Sequence, residues 1–219
     1  MIDPRLLQLA SPSLPVGAYS YSQGLEAAIE AAIVRDAPSA ESWIRDVMEL
    51  SLGSMEAPVF LRLADAWGRG DDDSAVRWND WFVASRETAE LRAETLQMGH
   101  SLRRLLSDLA LDGGRLARLQ EIAFPAAFAF ASATWRIAPA QALAAYLFSW
   151  LENQVLAAVK SLPLGQTDGQ RLLLALGAVL PDVVERASQL GDEDLGNFAP
   201  GLALLSSRHE TQYTRIFRS

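Results

Sequence analysis

The chain has 219 residues and a formal net charge of −8, and half of its residues are hydrophobic. This length allows one large domain or two small ones with a substantial core. An acidic surface repels phosphate backbones, so we do not expect nucleic acid as a partner. Cysteine is absent, which excludes disulfides, thiolate zinc sites and thiol nucleophiles and fits a reducing compartment.

The third residue of the chain, Asp3, is acidic where a signal peptide requires positive charge, and no cleavable apolar segment follows. Residues 122–151 form the most apolar stretch, and their single charge, Arg136, divides it into two uncharged runs. Each run is shorter than the roughly 20 residues that a membrane span needs, and Pro125 and Pro139 interrupt them. We therefore expect a cytoplasmic protein in which this stretch is a buried helical hairpin.

The first half of the chain has the spacing of amphipathic helices. Ser39 is the predicted N-cap of one helix, and Pro58 suits the first turn of the next, which stops at Gly68 and Gly70. Three aspartates at 71–73 then precede another helix, where their negative charge complements the positive end of the helix dipole. This interpretation is favoured over a metal site.

The second half continues this helical pattern. Residues 74–108 carry two apolar stripes on different faces, which predicts either a break or a helix sandwiched between two partners. A long helix is predicted over 139–161 and another over 168–190, which Pro181 kinks or splits. Residues 191–201 are acidic and contain glycine, and they read as a loop before a short final helix.

No segment alternates as a half-buried strand does, and no period of 20–50 residues repeats. Short connections between helices favour antiparallel packing. The sequence thus predicts an all-α fold, with residues 1–219 forming a single antiparallel domain of roughly eight to ten helices.

The histidines do not support a metalloenzyme. His100 and His209 are the only two, and without cysteine they cannot build a four-ligand zinc site. The segment from His209 begins like a zinc-protease motif, but Tyr213 stands where the second histidine must be. His209 is left as a weak candidate for a metal site shared across a dimer axis.

Nucleotide and hydrolase motifs are also missing. Gly191 and Gly196 have the spacing of a phosphate-binding loop, but Asn197 and Phe198 replace its lysine and hydroxyl residue. We therefore expect a protein that is not an enzyme and needs no cofactor. The alternative is a helical bundle that binds or converts a small ligand in a pocket with converging polar groups.

Three stretches differ from ordinary helix and loop sequence, and the first is residues 14–26. Proline and glycine fix its turn, and small hydroxyl residues allow the backbone to approach a neighbour closely. It could be a plain loop that leads into a helix with Ser20 or Ser22 as its cap. Its two tyrosines, Tyr19 and Tyr21, are instead typical of a contact surface.

The second stretch, residues 150–170, follows a polar stripe on an apolar helix. Helical geometry brings to one face five side chains, those of Tyr146, Ser149, Asn153, Ala157 and Lys160. Either this face is exposed to solvent, or it is a polar seam at a subunit contact.

The third stretch is the tail, residues 206–219. Tails usually fray, but this one keeps Tyr213, Ile216 and Phe217 and has three arginines in an acidic protein. Tyrosine and arginine often anchor interfaces. We therefore expect a tail that is docked or bound to a partner.

Together these stretches resemble the urease accessory protein family UreF, and the likeness extends from residue 6 to 219. The residues that match are the run 14–26, the run from Glu152-Asn153 through Lys160-Ser161 to Gln170, and His209-Glu210-Thr211-Gln212-Tyr213 with Arg215, Phe217, Arg218 and Ser219. The apolar segment 124–135 is similar to the middle of the family. The family often has histidine at the position of Tyr21, so the resemblance does not imply a nickel ligand there.

The resemblance implies an all-α homodimer that bridges the accessory protein UreD (also called UreH) and the GTPase UreG on apo-urease. There GTP hydrolysis is linked to nickel delivery, and the family is proposed to regulate the GTPase. By matched position, the candidates for the partner contact or the dimer seam are Tyr19, Glu26, Lys160, Tyr213, Arg215 and Arg218. The glycines that would shape the loops presenting them are Gly17, Gly24, Gly165 and Gly169.

Overall fold

The computed structural model describes residues 3–219, and within them there is no β-strand. The all-α prediction is confirmed, whereas the single-domain prediction stays a prediction. The α-helices are α1 (Pro4–Ala10), α2 (Leu25–Glu30), α3 (Ala37–Val47), α4 (Ala57–Arg69), α5 (Asp72–Ala84), α6 (Ala89–Asp108), α7 (Phe124–Thr134), α8 (Pro139–Ser161), α9 (Gln166–Gly177), α10 (Leu180–Gln189) and α11 (Pro200–His209). Short 3-10 turns lie at Ala18–Ser20, Arg115–Arg118 and Asp192–Asp194.

Helix α7 forms the centre of the main core because it is apolar on every side. It packs against α4, α6 and α8, and its residues 124–132 are all buried. An aromatic cluster joins α4, α7 and α8, in which the rings of Phe60, Phe124, Phe128 and Tyr146 lie with centroids 5.1 to 5.9 Å apart. The indole N–H of Trp67 donates to the carbonyl of Ala126 at 3.2 Å and fixes α4 against α7.

Helices α7 and α8 form the predicted buried hairpin, with Arg136 exposed in the connection. Helix α8 is long and apolar enough to cross a membrane by length and composition alone. However, 56% of its most apolar window is buried inside the molecule, as expected of a core helix.

The start of α3 corrects one prediction, because Asp36 and not Ser39 is its N-cap. The carboxylate of Asp36 accepts from the backbone N–H of Ser39 at 3.0 Å, and the Ser39 hydroxyl accepts from the N–H of Asp36 at 3.1 Å. This reciprocal arrangement is a capping box. Asp36 has the extended backbone that an N-cap needs. Ser39 lies three residues after it, inside the first turn of the helix.

The helix predicted from Pro58 is α4, with Pro58 in its first turn, but it is not separated from α3, because the helical backbone runs on between them. A π-helical segment, Met48–Glu56, links the two, and Ala57 N–H bonds to the carbonyl of Leu52, five residues back. Proline inside a helix clashes with the carbonyl four residues before it. The wide π turns come directly before Pro58 and relieve this conflict. Freed carbonyls at Leu50 and Ser54 accept from the loop at 196–198.

Other predicted boundaries are confirmed. The two stripes of 74–108 belong to α5 and α6, and the break is marked by Thr88, whose hydroxyl accepts from Leu91 N–H at 3.2 Å. Asp71 caps α5, and Asp72 pairs with Arg115 beside the same helix end. Pro181 divides the long predicted segment into α9 and α10.

Candidate functional site

The carboxyl-terminal tail folds back onto the chain, as its aromatic residues predict. Phe217 and Ser219 are buried, with exposures of 6% and 1%. The backbone N–H and the hydroxyl of Ser22 both donate to the carbonyl of Ser219, at 2.8 and 2.5 Å. Arg218 N–H donates to the carbonyl of Ser20 at 2.8 Å. The tail is therefore paired, backbone to backbone, with the loop of residues 14–26.

Glu26, at the start of α2, holds the tail from the other side. One carboxylate oxygen accepts from Ile216 N–H at 2.7 Å, and the other accepts from Phe217 N–H at 2.9 Å. Glu26 is only 7% exposed. The family-based assignment of Glu26 to a partner surface is therefore corrected, because its carboxylate is used inside the chain to position the tail.

His209 lies below the tail with no exposed surface. Its Nε2 lies 3.2 Å from Glu26 Oε2, and its Nδ1 lies 2.8 Å from Glu90 Oε2. The other oxygen of Glu90 accepts from Arg215 at 2.8 Å. Both ring nitrogens thus have carboxylate partners within the chain, whereas a weak metal site at His209 across a dimer axis stays a prediction. Across residues 3–219, no histidine, aspartate and glutamate side chains are grouped to hold a metal ion.

A second polar cluster centres on Glu94 of α6. Its oxygens accept from Gln23 at 2.6 Å and from the Ser219 hydroxyl at 2.9 Å. Gln23 in turn accepts from the indole N–H of Trp150 at 2.6 Å. Burial raises the pKa of Glu94 to about 7, and the hydrogen bonds from Gln23 and Ser219 oppose this shift. The cluster links the loop, α6, α8 and the tail.

The polar stripe of α8 faces this site, which corrects both interpretations offered by the sequence. Tyr146 is buried and donates its hydroxyl proton to Glu56. Asn153 donates to the carbonyl of Tyr21 at 2.9 Å, and the Lys160 ammonium lies 4.8 Å from the ring centroid of Phe217. The stripe is neither a mainly solvent-facing side nor free for a second subunit, since it contacts the loop and tail of the same chain.

All three unusual stretches therefore meet in one place, and most of their candidate side chains point outward. Tyr19 is 72% exposed and Tyr213 is fully exposed. Surface-exposed positions also include Lys160, Arg215 and Arg218. Buried polar groups fix the backbone of the loop and the tail, and these five side chains remain exposed on the surface.

The four candidate glycines play different roles. Gly17 and Gly24 have φ values of 78° and 79°, in the left-handed region that glycine favours. Gly165 is the N-cap of α9. Gly169 lies inside α9 and does not shape a loop, which corrects the prediction. A Cβ there would lie 2.8 Å from Val159 Cγ2, so this glycine allows α9 to approach α8 closely.

Sequence reasoning did not single out the buried carboxylates of Glu56 and Glu94, or the partly buried carboxylate of Glu90. Glu94 carried a usable signal, because it lies three residues after Leu91 and four before Met98. That spacing puts it on the apolar face of α6, where an unpaired charge is costly.

Known proteins match this chain along nearly its whole length. A sequence model of the UreF family matches residues 34–177. The protein named urease accessory protein UreF in Azoarcus sp. strain BH72 is 59% identical over 221 residues, which cover 98% of this chain and 94% of that protein. The proteins of the same name in Dechloromonas aromatica strain RCB and Janthinobacterium sp. strain Marseille are 52% and 54% identical, each covering 98% of this chain and 96% of the relative. The chain therefore belongs to the UreF family.

Proposed function

We propose that this chain is a urease accessory protein that acts as a scaffold in the cytoplasm and not as an enzyme. The relatives that it matches along nearly its whole length carry that name. Support from the structure comes from one observation: the tail is fixed by buried polar groups while Tyr213 and Arg218 stay exposed. An ordered backbone with exposed aromatic and cationic side chains suits contact with another protein, because little entropy is lost on binding.

In the finer form of the proposal, the chain is a homodimer that bridges UreD/UreH and the GTPase UreG on apo-urease during GTP-dependent nickel insertion. We assign the contact to five exposed side chains, those of Tyr19, Lys160, Tyr213, Arg215 and Arg218. Their positive charges stand on an acidic protein, so they favour an acidic patch on the partner. Arg215 is partly engaged by Glu90, and Lys160 by the ring of Phe217.

The experiment is size-exclusion chromatography with light scattering of the chain alone, and then mixed with UreD/UreH and UreG. We expect a dimer alone and a larger complex in the mixture. Tyr213→Ala, Arg218→Ala and Lys160→Ala should each weaken the complex while circular dichroism shows unchanged helix content. Tyr213 is the sharpest probe, because a fully exposed side chain contributes little to folding.

Arg69→Ala is the matched control, since Arg69 is an exposed arginine at the end of α4 whose side chain is 64% exposed. It should leave the complex intact. If the wild-type chain forms no complex with either protein, the scaffold proposal fails. If the complex persists in all three variants, the scaffold stands but the contact surface lies elsewhere.

A further inference from the structure

The ring of His209 is enclosed between two carboxylates from different helices. Nδ1 lies 2.8 Å from Glu90 Oε2 on α6, and Nε2 lies 3.2 Å from Glu26 Oε2 on α2. The side chain has no exposed surface, so water does not separate it from either partner. An ionised carboxylate only accepts hydrogen bonds, and a neutral imidazole has a single N–H to donate. Both contacts can be hydrogen bonds at once only if the group holds a second proton.

The other partners of the two glutamates indicate which side chain holds that proton. Glu26 accepts from the backbone N–H of Ile216 with one oxygen and of Phe217 with the other, at 2.7 and 2.9 Å. The second oxygen of Glu90 accepts from Arg215 at 2.8 Å. Each glutamate thus uses both oxygens as acceptors, which is the role of an ionised carboxylate. The second proton therefore belongs on the imidazole, which becomes a buried cation.

Charge balance agrees with this assignment. The groups that face the ring are Glu26 from α2 and Glu90 from α6, and the nearest further charge is Arg215. The carboxylate of Glu210, which follows His209 in the chain, accepts from the N–H of Ala89 instead. With an imidazolium the cluster has two positive and two negative charges. A neutral ring would leave a buried negative charge without its partner, which is strongly destabilising.

We propose that His209 is a proton-dependent switch for the end of the tail, residues 215–219. As an imidazolium it joins Glu26 to Glu90 and keeps this segment docked, and when it loses its second proton the segment is released. The inference does not depend on the scaffold function, because it concerns groups inside one chain.

The direction of the pH dependence follows from the number of bound protons. A histidine exposed to water loses its second proton at about pH 6.5. Above this pH the released form binds fewer protons than the docked form, so each further pH unit weakens docking by up to about tenfold. Glu94, which accepts from the Ser219 hydroxyl, also titrates, since burial raises its pKa to about 7. The test is therefore made above that value.

The first measurement is ¹⁵N NMR of the histidine ring nitrogens in the full chain at about pH 7.5. His100, which is exposed on α6, is the other histidine of the chain, and His100→Gln assigns the two sets of signals. We expect both ring nitrogens of His209 to carry a proton, although a histidine in water is mainly neutral at this pH. A His209 ring nitrogen without a proton overturns the proposal.

The second measurement is the hydrogen-exchange protection of the Phe217 N–H, relative to an unstructured peptide, between about pH 7.5 and about pH 9. Protection should fall about tenfold or more, while the N–H of Phe128 in the core helix α7 keeps its protection. His209→Gln cannot gain or lose this charge, so its Phe217 protection should be lower at about pH 7.5 and nearly constant with pH. His100→Gln is the matched control and should follow the wild type.

Constant protection of Phe217 in the wild type, or the same fall in His209→Gln, overturns the proposal. Should His209→Gln not fold, the ring nitrogens and the exchange profile of the wild type decide, since both are measured on the intact chain.

Discussion

The carboxylate of Glu26 accepts a hydrogen bond from the backbone N–H of Phe217, 191 positions later in the chain, at 2.9 Å. The same side chain also receives Ile216 N–H and faces His209. One buried carboxylate thus satisfies two backbone donors of a segment that belongs to neither helix nor strand. The docked position of the tail depends on it.

Glu26→Gln should release the tail. A glutamine offers one acceptor oxygen, and its amide N–H would point at a backbone donor, so we expect a loss of about 2 kcal/mol in the free energy of unfolding. Trypsin should then cleave faster at Arg215 and Arg218. The control is Glu30→Gln at the exposed end of α2, which should change neither quantity. Equal protease resistance in both variants would contradict this role of Glu26.

Phe217→Ala should also undock the tail, because it removes buried apolar contacts. The ring is 6% exposed and packs with Leu25, Ala158 and Leu205 in a second, smaller core. Its removal should cost about 3 kcal/mol, measured by urea unfolding. Its neighbour Ile216 is 54% exposed, so Ile216→Ala should cost well under about 1 kcal/mol. Similar losses in the two variants would argue against a buried Phe217.

The free energy of unfolding should depend on pH because of the titration of Glu94. Its pKa is about 7 in the fold and about 4.5 in the unfolded chain. Between these values the folded protein binds more protons, so its free energy of unfolding falls as pH rises and levels off above about 7. The full difference is about 3 kcal/mol. Glu94→Gln cannot titrate and should lack this contribution.

The measurement is urea unfolding of wild type and Glu94→Gln across this range, because other titrating groups cancel in the difference. The stability of the variant relative to wild type should increase from about pH 4.5 to about pH 7. A constant difference would show that Glu94 titrates normally in the folded chain.

Gly99 should be intolerant of a side chain. A Cβ at this position of α6 would lie 2.1 Å from the carbonyl oxygen of Ile122, so backbone must move. Gly99→Ala should therefore cost about 3 kcal/mol in thermal or urea unfolding. Gly68→Ala in α4 meets nothing within 4 Å and should stabilise the protein by up to about 1 kcal/mol. Two variants that change stability alike would contradict the close packing at Gly99.

Local chemistry predicted most of the helices. Pro139 starts α8 as predicted, and Pro181 splits its segment by lying in the first turn of α10, because the fixed φ and missing N–H of proline suit a first turn. The cap of α3 was misplaced by three residues because Asp36 and Ser39 both have capping side chains, and their mutual bonds decide between them. The π segment before Pro58 leaves no trace in hydrophobic spacing, which assumes one helical period throughout.

The site was predicted by its segments but not by its contacts. Aromatic and glycine residues singled out the loop, the α8 stripe and the tail. Which polar groups meet is set by packing across the whole chain: Trp150 and Gln23 are 127 positions apart, and Ser219 and Glu94 are 125 apart. Spacing along one helix carries no record of such pairs, so the partners of Glu26, Glu94 and His209 could be identified only from the fold.

The π-helical segment has a consequence for how this chain can vary in length. Helix α3 contacts α8 and α9, whereas α4 contacts α5, α7, α8 and α10, so the two halves of this continuous helix share only α8 as a neighbour. Deleting one residue between Met48 and Glu56 would tighten the wide π turns toward ordinary α geometry and bring the Pro58 ring against the carbonyl four residues before it. Single-residue deletions here should therefore be far more damaging than deletions in the loop at 191–199.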